Sequence, residues 1–169
     1  MNKLCLFSAA LLLAGCAAHD APQETAQDSA APAPEPGRPE AMFKVMETPE
    51  STTYFAANSL ALYQGNTHLR QFYLINNYRQ PTVLGEGKAP IRSSRVVRLI
   101  NCERDETAQF GRVYFSEPFA QGVEVTRKES APQWAAFPRQ SVIGELRNMA
   151  CAIEPARLIA PPFKAPEQP

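Results

Sequence analysis

The chain has 169 residues, with 17 Lys and Arg against 17 Asp and Glu and 44% hydrophobic residues. A net charge of zero argues against wholesale nucleic-acid binding, which rests on neutralising a phosphate backbone, but says nothing about local patches. The length suits one domain with flanking segments, and neither an internal repeat nor an apolar stretch long enough to span a bilayer is visible.

"MNKLCLFSAALLLAGC" begins with one positive residue, Lys3, followed by an apolar core from Leu4 to Leu13. That core falls short of the roughly 20 residues of a membrane-spanning helix and reads as a secretory signal peptide over residues 1–15. Its end, Leu13-Ala14-Gly15-Cys16, resembles the lipobox of bacterial lipoproteins. Small residues at 14 and 15 fit the peptidase, and the Cys16 thiol carries the diacylglycerol. Cys16 is therefore the expected lipidation site, and several acyl chains give stable membrane anchoring. Ala17, where inner-membrane lipoproteins typically carry Asp, favours the outer membrane. From Ala17 to Glu40 no large apolar residue occurs, so residues 16–41 read as a lipidated, disordered Ala/Pro-rich tether. His19 lies within it.

The domain is expected over residues 42–155, with a flexible Pro-rich tail at 156–169. Short β-branched and aromatic runs separated by turn residues mark its strands. They are "MFKVM" (Met42–Met46), "TTYFA" (Thr52–Ala56) leading into "SLALYQ", and "LRQFYLINNY" (Leu69–Tyr78). "RQPTVLGEGKAP" reads as a loop punctuated by Pro81, Gly85, Gly87 and Pro90. "SRVVRLINC" (Ser94–Cys102) and "AQFGRVYF" (Ala108–Phe115) form a hairpin across the charged turn "ERDE", and "VEVTR" (Val123–Arg127) follows. Alternation is mixed: Val96, Ile100 and Cys102 share a face with Arg98, while Val97 and Leu99 share the other with Arg95. Partial cover on both faces and a homodimer contact each account for that.

After Pro138, Ser141 caps a predicted helix on which Val142, Leu146, Met149 and Ile153 recur at helical spacing, with Arg147 and Asn148 on its polar side and Pro155 at its end. About six strands followed by one helix predict an α+β fold, an antiparallel sheet with the C-terminal helix on one face. With Cys5 discarded and Cys16 acylated, Cys102 and Cys151 are the remaining thiols in an oxidising compartment and are expected to form a disulfide pinning helix to sheet.

"RSSRVVRLINC" (Arg92–Cys102) resembles a segment of the surface-adhesin protein E family, lipoproteins of Gram-negative pathogens, in its arginines, apolar pair, Asn101 and Cys102. "TYFAANSL", "AQG" (Ala120–Gly122) and "NMACA" resemble further stretches, as do the lipobox and tether. The resemblance implies a six-stranded antiparallel sheet tied by a disulfide to a C-terminal helix. It also implies binding of host matrix or serum proteins of the vitronectin, laminin and plasminogen class. Carried over residue by residue, the binding segment keeps Lys88, Arg92, Arg95, Arg98, Arg104 and Arg112. It departs from the family in Pro90 and Val97, where aromatic residues stand, and in the acidic Glu103, Asp105 and Glu106.

Three functional readings follow. A surface-exposed adhesin would bind through Lys88, Arg92, Arg95, Arg98 and Arg112, since Lys88 to Arg98 holds no acid; the competing reading pairs these arginines with Glu103, Asp105 and Glu106. A periplasm-facing structural or assembly lipoprotein would use the same tether and domain. An enzyme is not expected: GxSxG, HExxH and phosphate loops are missing, His68 is the sole histidine of the domain, and neither cofactor nor metal is implied. Trp134, beside Phe137, reads as a core plug.

Overall fold

Strand-forming residues run almost unbroken from Met42 to Lys128, and in the computed structural model, which describes residues 35–158, they fold as a meander. β1 (Met42–Glu47), β2 (Ser51–Tyr63), β3 (Asn66–Thr82), β4 (Ile91–Asn101), β5 (Glu106–Phe115) and β6 (Glu124–Lys128) each pair antiparallel with the next. A short β7 (Ala135–Ala136) pairs with the start of β5 on the side that β6 occupies further along. The helix α1 (Val142–Ala152), the one α-helix among the described residues, follows. This is the expected antiparallel sheet with a C-terminal helix. The signal peptide, Cys16, His19, most of the tether and the tail beyond 158 lie outside the described residues.

Both faces of the sheet carry cover, which accounts for the mixed alternation. On one face Phe55, Phe72, Leu74, Val96 and Ile100 pack beneath Leu146 and Ala150 of α1. On the other, Met42, Tyr54, Ala56 and Ile75 surround Phe119, which a 3-10 turn (Pro118–Ala120) folds back onto the sheet. Phe119 has a positive φ of 60°, a costly conformation for an aromatic residue. Side chains from neighbouring strands hold it there: Asn77 Oδ1 accepts from the Phe119 backbone N at 2.7 Å, and buried Ser93 accepts from Ala120 N at 3.0 Å. Leu99, Ala108 and Phe110 form a third cluster with Tyr63.

Four anchors fix α1. Ser141 caps its start, accepting from Gly144 N at 3.2 Å. Arg70, buried to 2% exposure, donates to Thr67 O at 2.8 Å and to Ile153 O at 3.2 Å, placing a cation at the negative end of the helix dipole. Arg147 donates to Cys102 O at 2.6 Å, and Cys102 and Cys151 are joined by a disulfide across a separation of 49 residues. At the other end of the domain the Tyr54 hydroxyl donates to the Glu35 carboxylate, and Ala57 N donates to Ala41 O at 2.8 Å. Residues 35–41, placed in the tether by sequence, thus contact the sheet.

Several expectations are corrected. β3 continues through Pro81 to Thr82, where a loop was predicted; the proline is tolerated because the β3–β4 register is broken between Asn77 and Thr82. Cys102 lies one residue beyond β4 rather than within it. The helix turns Gly144, Leu146 and Ala150 inward and leaves Val142 and Met149 exposed; at Gly144 the entering chain leaves no room for a side chain, since a Cβ there would lie 2.0 Å from Arg139 O. Trp134 is 43% exposed and not a core plug.

Candidate functional site

β4 is the central strand, and its alternation decides where the predicted basic residues point. Arg98 falls on the helix side with Val96 and Ile100, opposite Phe72 and Gln109 of its neighbours, and Arg92 shares that parity. Arg112 of β5 stands opposite Val96 on the same side. Arg95 occupies the other face, where its guanidinium lies 4.4 Å from the Tyr73 ring centre and 5.2 Å from that of Phe115. This cation–π sandwich gives Arg95 a structural role on its own face. Lys88 is exposed in the β3–β4 connection. The structure therefore brings Arg92, Arg98 and Arg112 to one side, sends Arg95 to the opposite one, and leaves Lys88 on the adjoining loop.

The helix-side pair is electrostatically tense. Burial holds the Arg98 guanidinium below its usual pKa, the nearby Arg112 charge adds to that, and Arg98 Nε is buried without a hydrogen-bond partner. Arg112 donates to Ser94 Oγ at 2.7 Å, which in turn bonds the Tyr78 hydroxyl at 2.7 Å. Among the described residues, no carboxylate lies within ion-pair distance of Lys88, Arg92, Arg95, Arg98 or Arg112.

The acidic turn does not neutralise them, contrary to the competing reading. Glu103 pairs with His68 at 3.1 Å, Glu106 with Arg104 at 3.6 Å, and Asp105 with Arg139 at 2.7 Å and Arg147 at 3.9 Å. The reason is geometric: the turn follows the end of β4, whereas Lys88 and Arg92 flank its beginning.

Sequence reasoning missed a cavity of about 580 Å³ beside this network. Tyr78, Tyr114, Ile91, Leu84, Pro49 and Glu50 are among its lining residues. Tyr78 joins it to Arg112 through Ser94. The visible signal was "TVLGEG", an apolar pair within turn residues: Val83 and Leu84 are both exposed. Among the described residues, no group of three His, Cys, Asp or Glu is placed to hold a metal, and no helix is long and apolar enough to cross a membrane.

Comparison with known proteins places this architecture. The family model for surface-adhesin protein E matches residues 42–152. Among solved structures, Haemophilus influenzae protein E superposes with a TM-score of 0.61 at 16% identity, covering 75% of this chain and 95% of that one. Protein E from non-typeable Haemophilus influenzae gives 0.59 at 17% identity, over 71% of this chain and 81% of the other. At such identities the structural likeness speaks for the fold.

Proposed function

Because the chain belongs to the surface-adhesin protein E family, we propose that it is an outer-membrane lipoprotein, anchored through Cys16, whose surface-exposed domain binds host matrix or serum proteins of the vitronectin, laminin and plasminogen class. Family and fold point to a binding protein rather than a catalyst. One observation carries the choice of face: a tyrosine-lined cavity is joined through Tyr78 and Ser94 to Arg112, which has no carboxylate partner among the described residues. Tyrosine and arginine dominate interface hot spots, an apolar recess accepts an anchor side chain, and unpaired cations speed encounter with an acidic partner.

Immobilised vitronectin, titrated with the full chain in detergent, tests this reading. The wild type should bind, more weakly as salt rises. Combining Arg92→Ala, Arg112→Ala and Tyr114→Ala should weaken binding by about tenfold or more. Failure of the wild type to bind vitronectin, laminin or plasminogen, or equal binding by the triple variant, refutes the proposed face. External protease should also remove the domain from intact cells; resistance there would favour the periplasm-facing alternative.

A further inference from the structure

A second recess of about 420 Å³ lies at the opposite end of β4, around the β4–β5 turn, and the basic face does not contribute to it. Its wall includes Trp134, the only tryptophan of the chain, together with Asn66, His68, Asn101, Glu103 and Arg104. An indole 43% exposed beside a recess of small-molecule size, within the range of about 300–1,000 Å³, calls for an occupant.

Hydrogen bonds fix the backbone of this wall. Asn101 is buried, and its Oδ1 accepts from the backbone N of Glu103 at 3.0 Å and of Arg104 at 3.2 Å. His68 N donates to Asn66 Oδ1 at 2.8 Å, and His68 O accepts from Cys102 N at 2.8 Å, next to the disulfide. The platform is fixed as well: Ala135 pairs with Thr107, Ala136 pairs with Glu106, and Phe137 N donates to Asp105 O at 3.0 Å. The Glu103–His68 contact joins Oε1 to Nδ1 at 3.1 Å, and Oε2 and Nε2 are not part of it.

We propose that this recess binds a neutral oligosaccharide, with a pyranose ring stacked on Trp134 and its hydroxyls bonded by Asn66, His68, Glu103 and Arg104. A sugar presents a C–H face that suits an indole and paired hydroxyls that suit planar amide, imidazole, carboxylate and guanidinium groups. The charges favour a neutral ligand. Glu103 is already paired with His68 and Glu106 with Arg104, so an anion would meet two carboxylates and a cation would have to displace existing partners.

The lone tryptophan makes the test direct. The full chain, in a zwitterionic detergent without a sugar headgroup, is titrated with chitotetraose, lacto-N-neotetraose and maltotetraose while indole emission is followed. At least one of these should give a saturable change, and its retention on an oligosaccharide column should fall about tenfold in Trp134→Ala and also fall in His68→Ala. Trp134→Phe should keep part of the affinity at an unchanged melting temperature, which separates lost stacking from lost folding. The Arg92→Ala, Arg112→Ala, Tyr114→Ala variant should bind sugar as the wild type does, so the two sites fail independently. Absence of binding to all three sugars, equal binding by Trp134→Ala, or binding restricted to heparin overturns the proposal.

Discussion

Removing the Cys102–Cys151 bond should weaken the domain without dismantling it. The bond closes a loop across 49 positions, and the chain-entropy relation assigns that closure about 4 kcal/mol at 25 °C, acting on the unfolded chain. Unfolding entropy for a domain of this size is about 0.26 kcal/mol/K, so the melting temperature should fall by roughly 15 °C. The native helix keeps its other anchors: buried Leu146 and Ala150, Arg70 on Ile153 O, and Arg147 on Cys102 O. Far-ultraviolet dichroism should therefore change little below the new midpoint. Urea unfolding of Cys102→Ala, Cys151→Ala and the double variant supplies the assay. All three should lose the same stability within about 0.5 kcal/mol, because each removes the same constraint. A loss below about 1 kcal/mol, or single variants differing by more than that, would refute the argument that the bond acts through the unfolded state.

Three further outcomes follow from packing and burial. Phe72→Ala removes a fully buried ring set edge-on to Phe55 at 5.0 Å and should cost about 3–5 kcal/mol by denaturant titration; under about 1 would mean a loosely packed core. Gly144→Ala should destabilise by about 1–3 kcal/mol although alanine is the better helix former, since its Cβ would meet Arg139 O at 2.0 Å; a rise in melting temperature would contradict that close approach. Arg98→Met should leave stability within about 1 kcal/mol of wild type or raise it, because the guanidinium is desolvated with Nε unpartnered; a sharp fall would show that Arg98 holds the helix face together.

Much of the fold was legible in the sequence because its determinants are local. The strand runs separated by turn residues, the Ser141 cap and the two remaining cysteines each depend on neighbours or on elimination. What misled were positions where packing distance overrides residue size. Val142 and Met149 carry large side chains and stay exposed, while Gly144 faces inward where the chain entering the helix, at Arg139 O, leaves no room for a Cβ. Trp134 reads as a core plug from its place beside Phe137, but β7 places it at the end of the sheet beside polar turns. The separation of Arg95 from Arg98 was visible in strand alternation. The cavity beside Arg112 was not, because Tyr78, Leu84 and Tyr114 come from separate segments that only the sheet brings together.

The meander also sets an order of assembly. Each strand from β2 to β6 pairs with its predecessor, so a chain gathered from its N-terminal end can zip up strand by strand through short closures. The helix and Cys151 arrive last. Until they do, Phe55, Phe72, Leu74, Val96 and Ile100 form an uncovered apolar floor, and the Cys102 thiol waits at its border without its native partner. The same interval exposes the chain to aggregation and to mispairing with other thiols. A chain ending at Gln140 should hold that interval open, binding an apolar dye that the complete chain leaves in solution; absence of dye binding would show that the sheet does not form before its lid.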